Sequence, residues 1–340
     1  MKILSLVIPS YNCEQYLDKC LLSFVDGSVL DKLDIVIVND GSSDGTEDLA
    51  GKYCRQYPES VRLISQENRG HGGALNTGCS AARGKYLKVI DADDWVETEK
   101  LAAFVEQLEH CDSDVVLTHY YTTDISSGEV KAWTSRPEKF GQAYSFKEIM
   151  DDFGRFERCL TFHGLTYNTA FYQANGYRLS EKIFYEDHEF ATYPCCRAQT
   201  ITPLDLFIYN YRIGDVQQSV SDANKLKRVT HSEAVLRRMA QEYLRLPEGM
   251  GKAARRYVCH KIKVVLISYL TTVLLVEKDK KLGRVQAAQI MKYIKSELPA
   301  VYALAGKKYQ LLRLLNCLHV SKASLDSVLQ SGLYKRIMRK

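Results

Sequence analysis

Across the first 120 residues, short apolar runs alternate with segments of helical periodicity, and each apolar run ends in a polar loop. Residues 3–8, 35–38, 61–65, 86–90 and 115–118 read as strands. Between them lie a helix with Leu17, Leu21, Leu22 and Phe24 on one face, and helical segments at 46–56, 74–82 and 100–108. Strand–helix alternation of this kind predicts an α/β fold, a doubly wound, mostly parallel, Rossmann-like sheet. In such a sheet every strand delivers its following loop to the same edge, where ligands of open α/β sheets sit. The loops that meet there are Pro9-Ser10-Tyr11-Asn12, the polar turn from Asn39 to Gly45, Glu67-Asn68-Arg69-Gly70-His71-Gly72-Gly73, and Asp91-Ala92-Asp93-Asp94.

The chemistry of these loops is complementary. Three aspartates within four residues repel one another, and a fold that keeps them together usually has a cation nearby. Mg²⁺ or Mn²⁺ prefers hard oxygen ligands and can bridge a carboxylate to a substrate phosphate. The plainer reading of Asp91, Asp93 and Asp94 alone is a solvated acidic turn that opens the next helix. Tyr11 can stack on a base, Asp40 can accept from an imide or a ribose hydroxyl, and Arg69 can hold a phosphate. Four weak signals converge on one edge. No G-x-G-x-x-G follows the first strand, which argues against a dinucleotide-dependent oxidoreductase; a nucleotidylyltransferase remains a rival on a similar sheet.

Val7-Ile8-Pro9-Ser10-Tyr11-Asn12, Val38-Asn39-Asp40-Gly41-Ser42-Ser43-Asp44-Gly45-Thr46, Asn68-Arg69-Gly70 and Asp91-Ala92-Asp93 resemble, in order and spacing, the successive motifs of the family 2 glycosyltransferases. The resemblance covers roughly the first 120 residues, and four ordered motifs are far more specific than a lone DxD. It implies a GT-A fold and a nucleotide-sugar donor, a UDP-sugar by preference. Pro9, Tyr11, Asp40, Asn68, Arg69, Asp91, Ala92 and Asp93 would then bind the donor, with Asp93 holding Mn²⁺ or Mg²⁺ on the diphosphate. Farther along, Phe184-Tyr185-Glu186-Asp187-His188-Glu189-Phe190 resembles the family's Glu-Asp pair at a helix start. By that resemblance Asp187 is the catalytic base of an inverting transfer, and Glu186 would raise its basicity. Otherwise the pair simply complements a helix N-terminus. The Gln-x-x-Arg-Trp motif and spanning helices of processive synthases are not found, so a polymer-extruding synthase is not expected.

Other features fill in the picture. A hairpin is expected around Ser126-Ser127-Gly128, a short helix at 145–153, and a strand at 206–213 whose Arg212, or the Gln217-Gln218-Ser219 loop after it, could close over a diphosphate. His71, flanked by glycines, reads as a loop residue near the nucleotide. His163 reads as a hydrogen-bonded structural histidine that could line an acceptor cleft, and His188 is not assigned as a ligand. Ten cysteines without CxxC spacing indicate neither a zinc site nor a disulfide framework, and Cys195-Cys196 read as apolar filler on a helix.

The net charge of +5 hides an asymmetry: residues 1–224 hold 21 Lys+Arg against 34 Asp+Glu (−13), and residues 225–340 hold 25 against 7 (+18). The domain expectation is 1–222 for the transferase (1–120 nucleotide-sugar binding, 121–222 acceptor side and base) and 223–340 for a basic helical region. Its helices are expected at 226–244, 251–276, 281–298, 309–318 and 325–338. Its charge suits an anionic membrane surface, and the apolar run 264–276 is too short for the roughly 20 residues a span needs. With no secretory leader expected, the location implied is cytoplasmic, peripheral at the inner face of the plasma membrane. The acceptor implied is a saccharide or lipid-linked saccharide of surface-polysaccharide synthesis. No nucleic-acid recognition motif is present, so a nucleic-acid partner is not expected. A catalytically inactive relative serving as a binding or assembly subunit is the alternative, and the presence of every candidate carboxylate weighs against it.

Overall fold

The strands at the centre of the chain are apolar on both faces because both faces are covered. In β1 (Leu4–Ser10) and β2 (Leu33–Asn39) every residue is buried, the signature of inner strands in a helix-covered parallel sheet. The computed structural model describes residues 1–25, 28–215 and 221–330. They fall into two compact units, one comprising Met1–Asp215 with Gly251–Ala254 and the other the remaining described residues.

In the first unit, α1 (Glu14–Val25) follows β1, α2 (Thr46–Gln56) follows β2, and β3 (Val61–Ser65) leads to α3 (Gly70–Ala81). Then come β4 (Tyr86–Val89), β5 (Trp95–Val96), α4 (Thr98–Glu109), β6 (Val115–Asp124), β7 (Val130–Trp133), β8 (Tyr144–Ser145) and α5 (Phe146–Asp151). The unit closes with β9 (Leu165–Asn168), α6 (Thr169–Asn175), α7 (Asp187–Phe190) and β10 (Thr200–Ile213). Leu17, Cys20, Leu21 and Phe24 of α1 and Leu101, Phe104, Val105 and Leu108 of α4 pack into one core with β1 and β2. Each such leucine or phenylalanine contributes roughly 1.5–3 kcal/mol by leaving water.

The sheet runs β3-β2-β1-β4-β9-β6-β10-β5, with β7 on β6 and β8 on β10. The first four strands are parallel, as the alternation predicts. The parallel run stops at β4: β9 pairs antiparallel with both β4 and β6. β6 is therefore not the next strand of the parallel set, although it pairs in parallel with β10. The switch in strand order lies between β1 and β4. Their pairing ends at Val7 and Val89, so Pro9, which has no N–H to donate, falls beyond the β4 ladder. The crevice that opens there receives the loops of β1, β2, β3 and β4.

The second unit contains α8 (Asp222–Lys227), α9 (Val229–Leu244), α10 (Lys252–Thr271) from Arg255 onward, α11 (Lys280–Glu297), α12 (Pro299–Cys317) and α13 (Lys322–Gln330). A π-helical turn, Thr272–Val276, extends α10. Together they make a helix of 25 residues that is long and apolar enough to cross a membrane, with 61% of its most apolar window buried. The helix matches the one expected at 251–276, and the apolar run 264–276 forms its C-terminal half. The expected single helix at 226–244 is interrupted at Arg228, and α12 begins ten residues before the expected 309. The loop 217–219 and residues 331–338 lie outside the described residues.

Candidate active site

Two loops form the first wall. Asn12 Oδ1 accepts from the Ser43 N–H at 2.8 Å, Asn12 N–H donates to Ser42 Oγ at 3.1 Å, and Gly45 N–H donates to Glu14 Oε2 at 2.9 Å. These bonds lace the loop after β1 to the loop after β2. Tyr11 projects from this wall, 53% exposed, as a ring available for stacking. Pro9 is buried beneath it. Asp40 is buried; its Oδ1 accepts from Gln66 Nε2 at 2.6 Å and from the Arg69 N–H at 2.9 Å. Asn68 Oδ1 accepts from the Gly70 N–H at 3.2 Å. The Arg69 guanidinium forks onto Glu181, and this arginine draws the Glu181 carboxyl below its usual range. Asp40 and Arg69 are thus tied to each other's segments, and Arg69 spans to the far side of the crevice.

The strand-end aspartates divide by direction. Asp91 and Asp93 side chains are about a third exposed, at 27% and 32%, with Ala92 buried between them. Asp94 turns inward: its Oδ2 accepts from Tyr209 O–H at 2.5 Å and its Oδ1 from the Arg212 N–H at 2.7 Å. Burial, reinforced by the charges of Asp93 and Asp91, pushes the Asp94 carboxyl well above its ordinary value. The same Tyr209 oxygen accepts from the Asp91 N–H at 3.1 Å. One buried tyrosine of β10 therefore fixes the whole acidic turn. Arg212 lies over the Tyr16 ring, pairs with Asp215 at 3.1 Å, and comes within 3.8 Å of Asp93.

The Glu186-Asp187 pair reaches this edge through a residue the sequence did not single out for it. His71 is not in a loop; it lies in the first turn of α3. Its Nε2 is 2.9 Å from Asp91 Oδ1 and its Nδ1 is 2.5 Å from Glu186 Oε1. Burial would lower the imidazolium, but the charge of Asp91 and hydrogen bonds to Asp91 and Glu186 outweigh it and hold the ring well above its ordinary value. Glu186 is buried and faces His71, a partner the sequence did not suggest for it. Asp187 opens α7, half-exposed. Its charge and that of Asp91 both act on His163 and on Tyr211, which places the two acids about one group of rings. The His163 ring stacks on Tyr211 at 4.2 Å and meets Tyr209 at 4.9 Å. Burial pulls it down to about 4, and it makes no side-chain hydrogen bond among the described residues; ring packing holds it instead.

Lys88 is the other group that sequence reasoning passed over. It is fully buried on β4, three residues before Asp91, and donates to the His163 carbonyl at 2.7 Å and the Leu165 carbonyl at 3.2 Å. Burial lowers its ammonium to about 7. A lysine in the middle of a strand otherwise apolar at Tyr86, Leu87 and Val89 was the available signal.

As to a metal, the outward acids offer hard carboxylate oxygens, the donor chemistry Mg²⁺ and Mn²⁺ take. No cluster of three or more His, Cys, Asp or Glu among the described residues could hold an ion unaided. A cation held by these acids would take its remaining ligands from substrate phosphates and water.

With this geometry in place, comparison with known proteins is informative. Residues 5–173 match the profile of Glycosyl transferase family 2. The chain belongs to that family. The family 2 match covers β1 through most of α6, and so contains every acid of the β4 turn and His71. Glycosyltransferase GlyG of Streptococcus pneumoniae serotype 4 is 30% identical over 151 residues, 44% of this chain and 50% of GlyG, so the match spans about half of that relative. Among solved structures, Staphylococcus aureus TarS 1–349 in complex with UDP-GlcNAc superposes with a TM-score of 0.64 at 19% identity, covering 94% of this chain and 93% of that one. The mannosyltransferase PcManGT from Pyrobaculum calidifontis, in complex with GDP-Man and Mn²⁺, gives 0.52 at 17% identity over 92% and 84%. At these identities the structural likeness establishes the fold, GT-A, with its mixed, mostly parallel sheet and a helical C-terminal region.

Proposed function

We propose that this family 2 chain is a metal-dependent, inverting glycosyltransferase. It moves a sugar from a nucleotide-sugar, a UDP-sugar, to a hydroxyl of a saccharide or lipid-linked saccharide in cell-surface polysaccharide synthesis. The observation that carries the reading is the Asp91–His71–Glu186 contact, which ties the turn that bears Asp93 to the segment that bears Asp187. Neighbours of the same fold with UDP-GlcNAc or with GDP-Man and Mn²⁺ bound support a nucleotide-sugar donor and a divalent cation.

In this reading Tyr11 stacks on the base, Asp40 accepts from it or from the ribose, and Pro9, Asn68, Arg69 and Ala92 shape the donor wall. Asp93 would hold Mn²⁺ or Mg²⁺, which when bound stabilises the charge developing on the departing diphosphate. Arg212, close to Asp93, adds a second positive group on that side. Asp187 accepts the proton of the acceptor hydroxyl as its oxygen forms the new bond to the anomeric carbon. The bond from that carbon to the diphosphate breaks on the opposite face, and the electron pair leaves with the nucleoside diphosphate. One displacement with one base and no protein nucleophile inverts the anomeric centre. The division of labour between 1–222 and the basic 223–340, and a peripheral place at the anionic cytoplasmic face of the plasma membrane, belong to the same proposal; they rest on the charge of +18 beyond residue 224.

A screen of nucleotide sugars for nucleoside diphosphate release, with and without chelator, tests it. Asp187→Asn should retain donor binding and lose turnover by roughly 10²-fold or more, as for removal of a general base. Asp93→Asn should lose metal-dependent UDP binding as well. Wild-type turnover in either variant, or full activity in excess chelator, would overturn the corresponding assignment.

A further inference from the structure

His71 stands out because its ring joins two segments that the proposed reaction must hold together. The β4 turn carries the donor-side acids, and the segment before α7 carries Asp187. We propose that His71 is a positioning residue for the transfer reaction: by bonding Asp91 on one side and Glu186 on the other, it fixes Asp187 against the donor edge. The proposal rests on the functional reading above and goes beyond it, since no comparison assigns this histidine a role.

Four observations support it. Both ring nitrogens face carboxylate oxygens, at 2.9 and 2.5 Å. A neutral imidazole donates from only one nitrogen, whereas an imidazolium donates from both at once and so bridges the two acids. The helix that carries His71 has no acid in its first turn; a cation is unfavourable at a helix N-terminus, and here Asp91 and Glu186 supply the compensating charge from elsewhere in the chain. Glu186 is buried, makes no other side-chain hydrogen bond among the described residues, and its Oε2 has no partner there. Without His71 its carboxylate would be buried and unpaired. Finally, α3 is built to lie flush on the segment of the base. A Cβ on Gly72 would come within 2.1 Å of the Ser180 carbonyl oxygen and 2.9 Å of Glu186 Cγ, and one on Gly70, at φ +76°, within 2.8 Å of Lys182 N. Lys182 N–H in turn donates to the Arg69 carbonyl at 2.8 Å. Asp187 follows Glu186 directly in the chain, so a shift of Glu186 carries Asp187 with it.

The experiment compares wild type with His71→Ala, Glu186→Gln and the double variant, using the full chain and the UDP-sugar that wild type turns over. For His71→Ala, kcat should fall by about tenfold or more while UDP affinity by calorimetry and donor KM stay within about threefold, the pattern of a lost transition-state arrangement. The double variant should be no worse than His71→Ala, because neighbours acting as one unit are not additive. Added imidazole should restore turnover to His71→Ala and not to Asp187→Asn. Nitrogen-15 NMR of the wild type, with His71 assigned by difference, should show both ring nitrogens protonated at neutral pH. That measurement needs neither activity nor a stable variant. A kcat within about twofold of wild type, a loss confined to UDP affinity, additive effects without rescue, or a singly protonated His71 would each overturn the proposal. A wild type that turns over no nucleotide sugar would overturn the functional reading alone, leaving the NMR result to decide the His71 contact.

Discussion

Lys88 offers a quantitative test of how the acidic edge is supported. It is an ammonium with no exposed surface, bonded to two carbonyls, 5.7 Å from the Tyr209 ring centre. Burial lowers it from 10.5 to about 7. Between those values the unfolded chain binds one proton more than the folded chain at this site. Stability must therefore rise with pH across the window, by up to about 1.4 kcal/mol per pH unit. The whole gap corresponds to roughly 5 kcal/mol. Lys88→Met removes the titrating group. The wild type should thus gain on the variant by about 4 kcal/mol between pH 7 and pH 10. Below pH 7 the variant escapes the cost of the buried charge but strands two carbonyls at ~1–3 kcal/mol each, so the net change there is small and the slope is the decisive quantity. Urea unfolding followed by tryptophan fluorescence reads it directly. Both tryptophans, Trp95 and Trp133, lie within Met1–Asp215, so the signal reports the unit that contains Lys88. Parallel stability curves for the two proteins from pH 6 to pH 10 would refute the reasoning.

Gly72→Ala should keep the far-ultraviolet spectrum but lose activity by about tenfold or more and expose the 180–187 segment to limited proteolysis, because its Cβ would sit 2.1 Å from the Ser180 oxygen; wild-type kinetics would show that α3 need not lie flush there. In the second unit α12 exposes Leu304, Leu311 and Leu314, with Leu318 at its C-cap, beside the exposed Lys307 and Lys308, and each basic residue near an anionic surface adds about 1 kcal/mol. Co-sedimentation with anionic vesicles at low salt, lost with neutral vesicles and near 1 M salt where screening acts within about 3 Å, is the expected result; equal partitioning to both vesicle types would remove the membrane role.

The first half of the fold was legible because its signals are local. β1 to β4 are apolar runs bounded by turn residues, and parallel inner strands need nothing else. β10 was expected only from Leu206, where the alternation begins. The strand in fact begins at Thr200 and accommodates the proline through register shifts between Pro203 and Phe207 and between Phe207 and Tyr209. α12 was expected only from Tyr309. The helix starts with Pro299 at its first position, where a missing N–H costs nothing. The antiparallel insertion of β9 between β4 and β6 could not be read at all, since pairing partners distant in sequence leave no local mark. The same holds for Tyr209 and Lys88, whose partners come from other strands and loops.

The acids of the site make the limit sharper. Each acidic doublet, Asp93-Asp94 and Glu186-Asp187, contains one outward and one inward carboxylate, and sequence alone does not say which is which. The inward members do mechanical work. Asp94 takes bonds from Tyr209 and the Arg212 backbone, and Glu186 takes one from His71. A loop at a strand end has no ladder to hold it, so a buried, multiply bonded acid is an effective anchor for the outward acid beside it. The anchoring also limits the repulsion the edge must bear. Burial raises the Asp94 carboxyl, and the His71 ring lies between Asp91 and Glu186. Asp91, Asp93 and Asp187 are the carboxylates that face solvent. Under the proposed function these are the groups that need an ionised oxygen, Asp93 toward a cation and Asp187 toward a proton. The inward acids thus anchor, at one edge, the carboxylates that the proposed reaction uses.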